Sequence, residues 1–217
     1  MKTHKTLHGI FLCLALIAFS GLSPAQMRSG KLGVGVSGSL YLFNPNLSDG
    51  LYKGGGGVSL SYSVMEHLGI RASLGTGQLG WKDALGGSNT TTLMSGNLYL
   101  SYDMIPHGTF NPFLYAGAGG IYFDPRSDNG PDLGSGITKI DINYYGGIGF
   151  DIFFSEFVSV TLSGEYALAN TNKLDMMKSG TANENYSRVN LEFRYYFFDQ
   201  DYVTKLIQAL QDRYKKR

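Results

Sequence analysis

Apolar and polar residues alternate along most of the chain. The first such segment carries Leu32, Val34, Val36, Leu40 and Leu42 on one face, with glycine, serine or lysine at most positions between them. A period of two residues predicts β-strands with one apolar face. The recurring pattern predicts strands at 31–43, 53–65, 68–81, 91–104, 110–123, 140–154, 157–169 and 184–198. Each is long enough for the about 9–11 tilted residues with which a strand crosses a bilayer.

The connections between the predicted strands alternate in length. The short ones are 66–67, 105–109 and 155–156, and the long polar ones are 44–52, 82–90, 124–139 and 170–183. Short turns at one end and long loops at the other are typical of outer-membrane barrels. We therefore predict an all-β fold, an eight-stranded antiparallel up-and-down transmembrane β-barrel within residues 26–198. The even strand number places both mature termini in the periplasm.

The second face of the predicted strands distinguishes this chain from a soluble barrel or sandwich. That face carries glycine, serine, asparagine and a few charges, whereas solvated strand faces collect lysine, glutamate and threonine. Eight strands enclose only enough space for side chains, so we expect a plugged polar lumen. Buried charges are costly unless paired, and an ion network is predicted from Arg71, Asp103, Asp151, Glu165, Arg188, Glu192 and Arg194. The alternative is that each charge is hydrated separately in an open mouth.

Aromatic residues gather near the ends of the predicted strands. Two belts of rings match the two interfaces of a bilayer, whereas the rings of a soluble core concentrate in mid-strand. We predict a girdle that contains Tyr41, Trp81 and Tyr122 toward the long loops, and Tyr102, Phe154, Phe157, Tyr195 and Phe197 toward the short turns.

The composition agrees with a membrane barrel. Charged residues make up 16% of the chain and aromatic residues 13%, against about 25% charged residues in ordinary soluble domains. A formal net charge of +1, with no basic run before the last residues, argues against a nucleic-acid partner. After the first 25 residues no apolar run approaches the about 18 residues of a membrane-spanning helix. Any spanning elements are therefore strands.

The first 25 residues have the pattern of an export signal. Lys2 and Lys5 precede an apolar stretch at 10–19, and small residues at 23–25 allow cleavage before Gln26. We predict a signal peptide over residues 1–25. The only cysteine, Cys13, lies within it, so the mature chain has no disulfide and no cysteine-ligated zinc.

Candidate catalytic and metal-binding residues are few. The histidines of the mature chain, His67 and His107, lie in or beside predicted short turns, so a Ser–His pair cannot form near the long loops. The acidic residues Asp124, Asp128 and Asp132 do not have the spacing of an EF-hand loop. We therefore predict no catalytic residue, no cofactor and no metal site.

The last residues do not fit a strand. Val203, Leu206, Ile207, Leu210 and Tyr214 recur at helical spacing, which predicts a short amphipathic helix over 199–217 in the periplasm. Its apolar stripe needs a surface because so short a helix is marginal in water. The candidate surfaces are the membrane, the barrel mouth and a periplasmic partner, and a solvated tail is the alternative.

Two segments resemble a known family. The segment 111–119 (NPFLYAGAG) and the aromatic final strand at 189–197 are similar to those of OmpA/OmpX-type small outer-membrane barrels, and the resemblance covers residues 30–198. It implies outer-membrane lipid and lipopolysaccharide as surroundings, and a final strand read by the barrel-insertion machinery. The chain departs from the pattern because residues follow Phe198 and because it has no room for a peptidoglycan-binding domain.

These observations together predict a non-enzymatic outer-membrane protein. We expect a structural or interaction role that the extracellular loops carry, with a loop ligand that the sequence does not identify. Two alternatives stay open, a small gated channel that passes solutes and a surface adhesin or receptor.

Overall fold

The computed structural model describes residues 30–44, 49–82, 87–127, 139–171, 174 and 184–198. The predicted signal peptide at 1–25 and the predicted helix at 199–217 lie outside these residues and stay predictions. The strands are β1 (Leu32–Asn44), β2 (Asp49–Ser63), β3 (Leu68–Lys82), β4 (Ser88–Asp103), β5 (Phe110–Ser127), β6 (Ile140–Phe153), β7 (Val158–Ala169) and β8 (Asn185–Phe198). Among the described residues, no helix is long and apolar enough to cross a membrane.

The strands form one closed antiparallel barrel in the order of the sequence. Each strand pairs with the next, and β8 pairs with β1 from Leu32↔Phe198 to Asn44↔Asn185. Because the barrel is closed, the main-chain groups of each strand form hydrogen bonds with neighbouring strands on both sides. A strand in a bilayer needs these partners, since no water is present there. The predicted eight-stranded antiparallel barrel is confirmed. We call the end at which β1 begins and β8 finishes the terminal end, and the opposite end the loop end.

Three strands extend further toward the loop end than the sequence pattern predicts. β2 begins at Asp49, β4 begins at Ser88 and β5 continues to Ser127. The predicted long connections 44–52 and 82–90 are therefore wrong, because only 45–48 and 83–87 lie between the strands. Polar residues such as Thr90 suggest a loop by composition, yet Thr90 pairs with Gly80 on one side and with Arg126 on the other.

The exterior of the barrel carries a belt of exposed apolar side chains. Val36, Leu74, Leu98, Ile148 and Leu191 are all more than half exposed on their strands. In water such a continuous apolar surface would be an aggregation site, and lipid chains are the solvent that suits it. The exterior belt therefore marks the part of the barrel that faces hydrocarbon.

The apolar belt ends before β3, β4 and β5 do. On β3 the outward residues after Leu74 are Thr76 and Gln78, and on β5 the outward residues after Tyr122 are Asp124 and Arg126. Polar side chains do not face hydrocarbon without cost, so these strand ends stand beyond it. We call residues 76–82, 88–92 and 124–127 the projecting wall. At about 3.3 Å per residue, it rises roughly 15–20 Å along β3.

Candidate functional site

Charged side chains cross the lumen near the terminal end. Nη2 of Arg71 on β3 lies 3.2 Å from Oδ2 of Asp151 on β6. Arg194 on β8 lies 2.7 Å from Oε1 of Glu192 through Nη2, and 3.6 Å from Oδ1 of Asp151 through Nη1. All four side chains are buried. We call Arg71, Asp151, Glu192 and Arg194 the ion-pair layer.

Hydroxyl groups complete the hydrogen bonding of the carboxylates in this layer. Ser59 Oγ donates to Oε1 of Glu192 at 2.8 Å, and Thr161 Oγ1 donates to Oδ1 of Asp151. A buried ion pair is tolerable when further hydrogen bonds satisfy the remaining lone pairs. The layer therefore closes the terminal end of the lumen with a connected polar network.

A second ion pair lies closer to the loop end. Arg188 Nη2 donates to Oε2 of Glu165 at 2.8 Å, and the two residues are partners in the β7–β8 register. The hydroxyl of Tyr115 donates to the same Glu165 oxygen at 3.4 Å, and Arg188 Nη1 donates to the Tyr41 hydroxyl at 3.4 Å. The predicted lumen residues therefore fall into the ion-pair layer, the Glu165–Arg188 pair, and Asp103, which is buried at the last position of β4.

The loop end of the lumen is filled by apolar side chains. We call Phe43, Leu79, Trp81, Leu93, Ile121, Phe123 and Leu174, which are all at most 2% exposed, the apolar layer. Phe43 and Trp81 pack edge to face with ring centroids 5.7 Å apart. Leu174 lies between β7 and β8 in sequence, and hydrogen bonds fix its main chain. Its carbonyl accepts from Thr91 Oγ1 at 2.6 Å, and its N–H donates to Glu184 Oε2 at 2.6 Å.

The structure corrects the girdle prediction at two positions. Tyr41 and Trp81 are 3% and 1% exposed and face the lumen rather than lipid. Nearness to a strand end does not determine the face: alternation along β1 and β3 places both rings on the inner face. The other predicted rings face outward and are exposed: Tyr102, Tyr122, Phe154, Phe157, Tyr195 and Phe197.

Two small cavities lie beside the lumen charges. One of about 10 Å³ lies next to Arg71, Asp103 and Arg194, and one of about 20 Å³ lies between Ser73, Arg188 and Glu192. A cavity of this size has room for about one water molecule. Side chains therefore fill the lumen closely around these charged residues.

The histidines lie in structural contacts at the terminal end. The His67 ring stacks on Tyr102, and its Nδ1 is 2.7 Å from the main-chain oxygen of Asp103. His107 Nε2 is hydrogen-bonded to Oε1 of Glu66, and this contact joins two neighbouring turns. Within the described ranges, no group of three or more His, Cys, Asp or Glu side chains is placed to hold a metal ion.

A charged group stands on the exterior where β5 enters the projecting wall. Asp124 accepts hydrogen bonds from Arg126 Nε and Nη2 at 3.1 and 3.0 Å, and another from Lys139 Nζ. The Lys139 hydrogen bond lowers the pKa of the Asp124 carboxyl below its ordinary value. Composition alone suggests a solvated loop here. The sequence does contain a signal for a strand: Tyr122, Asp124 and Arg126 occupy every second position and therefore lie on one face.

An apolar exterior, a closed ring of strands and a filled interior define an integral β-barrel membrane protein. Residues 11–197 match the family described as outer membrane protein beta-barrel domain. The chain belongs to this family and is an outer-membrane protein, in agreement with the predicted OmpA/OmpX-type class. A comparison with curated proteins by sequence found no match.

Solved structures with the same fold are distant in sequence. OprG from Pseudomonas aeruginosa is 16% identical with a TM-score of 0.55, and the match covers 82% of this chain and 100% of OprG. Neisserial surface protein A is 13% identical with a TM-score of 0.56, covering 76% and 97%. The attachment invasion locus protein Ail of Yersinia pestis is 12% identical with a TM-score of 0.52, covering 78% and 99%. At these identities the likeness concerns the fold alone.

Proposed function

We propose that this protein is a non-enzymatic barrel whose filled lumen serves stability and whose loop end presents an interaction surface outside the cell. The observation that carries the proposal is the filling of the lumen at both ends. The ion-pair layer blocks the terminal end, and the apolar layer with Leu174 blocks the loop end. Because the lumen is blocked at both ends, partners outside the cell can reach only the exterior of the loop end.

A conductance measurement tests the closed lumen. Purified protein inserted into planar bilayers should give no steady current above that of the empty bilayer. The positive control is a general porin under the same conditions. Regular unitary currents from the unmodified protein would contradict the proposal and favour the gated channel.

A gated channel is the second candidate because one side of the lumen has small side chains. β1 to β3 turn Gly35, Ser37, Ser59, Ser61 and Ser73 toward the interior. If the ion-pair layer gates such a path, Arg71→Ala with Arg194→Ala should produce conductance. Conductance that stays at the baseline in this double variant would count against the ion-pair layer acting as a gate.

The surface role is tested on the loop that joins β7 and β8. Deletion of residues 175–183, which leaves Leu174 and Glu184 in the chain, should abolish the binding of cells or ligands while the barrel still inserts. A matched deletion of 129–137 separates this loop from the one between β5 and β6. Loss of binding in the first variant would favour a surface adhesin or receptor, and unchanged binding in both would count against a loop-carried role.

The orientation and the remaining partners belong to the same proposal. We place the terminal end in the periplasm, with both mature termini there, and the loop end outside. The final strand is then available to the barrel-insertion machinery, residues 199–217 can meet a periplasmic partner, and the projecting wall borders lipopolysaccharide. Asn129→Cys, labelled in intact cells by a membrane-impermeant reagent, tests the orientation, because the predicted mature chain has no other cysteine.

A further inference from the structure

We propose that residues 203–214 lie as a helix across the terminal end of the barrel and cover its mouth. The sequence predicts this amphipathic helix, which lies outside the residues that the structure describes, and two described turns supply the surface that receives it. The inference does not depend on the orientation proposed above, because the helix and the turns belong to one chain. The helix would shield the ion-pair layer from water, and its polar side would stay open to a periplasmic partner.

The receiving surface consists of two short turns that are joined to each other. The turn at 64–67 connects β2 to β3, and the turn at 104–109 connects β4 to β5. His107 Nε2 is hydrogen-bonded to Oε1 of Glu66. This contact holds the two turns side by side, so they form one surface at the terminal end. We call 64–67 and 104–109 the joined turns.

The joined turns expose apolar side chains. Val64, Met65, Met104 and Ile105 are between 41% and 60% exposed. All four stand beyond the last residues of β2 and β4, and so beyond the strand position that carries the girdle residue Tyr102. Apolar side chains that are exposed as a group are typical of a surface that another element covers.

The position and the length of the segment fit this surface. β8 leaves the barrel at Phe198, which pairs with Leu32 at the terminal end, and β4 lies opposite β8 in the closed ring of eight strands. Strands about 4.8 Å apart and tilted by about 40° give a ring of eight a diameter of about 16 Å. Residues 203–214 are about 18 Å long as a helix. A helix that begins at Val203 therefore spans the mouth from β8 to the joined turns.

The segment has a narrow apolar stripe. At about 100° per residue, its large apolar side chains fall within about 100° of the helix circumference. These side chains are Val203, Leu206, Ile207, Leu210 and Tyr214. Asp212 falls on the opposite side, so only one face of the helix suits an apolar surface. A helix this short is marginal in water unless such a surface receives that face.

The charges give the helix a direction across the mouth. Residues 213–217 contain two lysines and two arginines, whereas Asp201 precedes the helix on the side of β8. Glu66 on the joined turns is 45% exposed although it contacts His107, so its carboxylate has further acceptor sites for the basic end. The exposed carboxylate therefore lies on the side of the mouth at which the basic end arrives.

The experiment measures cross-linking inside one folded chain. The predicted mature chain has no cysteine, so Leu210→Cys with Ile105→Cys carries only the two introduced thiols. A short bismaleimide added to the purified barrel in vesicles of a zwitterionic lipid should link most chains internally. In Asp212→Cys with Ile105→Cys the thiol is nearer to the end of the helix but on its polar side. This pair should react at least about fivefold more slowly, because the effective concentration of the two thiols is lower.

A second pair of variants tests the apolar contact. In the background of Leu210→Cys with Ile105→Cys, Ile207→Asp places a charge in the stripe and should reduce the rate of cross-linking about fivefold. Gln208→Asp places the same charge on the polar side and should leave the rate within about twofold. Each variant is first shown to be folded by its gel mobility without heating.

Four results would overturn this proposal. Equal rates for thiols at positions 210 and 212 mean that the segment is a solvated tail. No cross-link, together with a thiol at position 210 that a water-soluble reagent does not reach, means that the helix lies in the membrane surface. Linkage between two chains means that a second copy receives the helix. Internal linkage in cell envelopes but not in the purified barrel means that a periplasmic partner positions the helix.

Discussion

Arg71 reaches across the lumen from β3 to Asp151 on β6, with 3.2 Å between Nη2 and Oδ2. Its guanidinium group also lies over the Phe113 ring, 4.2 Å from the centroid. Strands β3 and β6 share no hydrogen-bonded ladder, so this contact joins opposite walls of the barrel. Side-chain charge therefore holds the shape of the interior in addition to the main-chain ladders.

Removal of one member of this pair should be costly. Arg71→Ala leaves the buried Asp151 carboxylate with only the longer 3.6 Å contact to Arg194 as an ion pair, and the free energy of unfolding should fall by about 3–5 kcal/mol. Urea-induced unfolding from lipid vesicles measures the change. Arg126→Ala is the matched control, because an exposed pair contributes no more than about 1 kcal/mol.

A double variant separates the pair itself from the burial of a lone charge. Arg71→Met with Asp151→Leu removes both charges and leaves Arg194 paired with Glu192. The unfolding free energy should then lie closer to that of the unmodified protein than either single variant does. If the loss of unfolding free energy in the double variant equals the sum of the losses in the two single variants, the residues do not act as a pair.

The Gly35–Glu192 contact explains why a small residue is required on the inner face of β1. A Cβ at Gly35 would lie 2.3 Å from Oε1 of Glu192, whereas a Cβ at Gly38 meets nothing within 4 Å. Gly35→Val should therefore displace Glu192 from Arg194 and reduce the fraction of folded barrel. Gly38→Val, on the outer face, should fold as the unmodified protein does. The heat-dependent shift in gel mobility measures both, and equal behaviour of the two variants would refute the explanation.

The sequence predicts the barrel well because one physical rule acts along every strand. Lipid outside and a polar lumen inside enforce a period of two residues, so the strand number, the pairing order and the inward positions of residues such as Arg71 and Glu192 follow from parity alone. Which charges meet does not follow, since the contact of Arg71 with Asp151 depends on how the barrel closes. Register between strands cannot be obtained from single-strand periodicity.

The larger errors lie at the loop end. There the exterior is no longer lipid, so polar residues such as Thr90 and Gln78 replace apolar ones on the outer face while the strands continue. The apolar side chains move inside, and Tyr41 and Trp81 belong to that interior. A prediction based on an apolar outer face therefore ends the strands too early and places these two rings on the wrong side.

Leu174 should contribute to stability although it lies outside the strands. Its side chain is fully buried in the apolar layer, so Leu174→Ala should lower the unfolding free energy by about 2–5 kcal/mol. Thr91→Val keeps the shape of the side chain at position 91. It removes only the hydroxyl that donates a hydrogen bond to the Leu174 carbonyl. In Thr91→Val the free energy of unfolding should fall by about 1 kcal/mol. Leu174→Ala without effect on urea-induced unfolding would mean that the segment does not seal the loop end in solution.

The last prediction concerns water inside the lumen. Ser73 Oγ and Arg188 Nε are buried and make no hydrogen bond to any described residue, and both side chains line the cavity of about 20 Å³. A buried polar group without a partner costs about 1–3 kcal/mol, and this cavity has room for one water that can relieve the cost. A crystal structure at high resolution should therefore show an ordered water within hydrogen-bond distance of one of the two atoms. Ser73→Val should displace it, since the added methyl group takes its space. A well-defined map of the unmodified protein with no density in the cavity would contradict the prediction. The two unsatisfied groups would then have to be explained by a movement of Arg188.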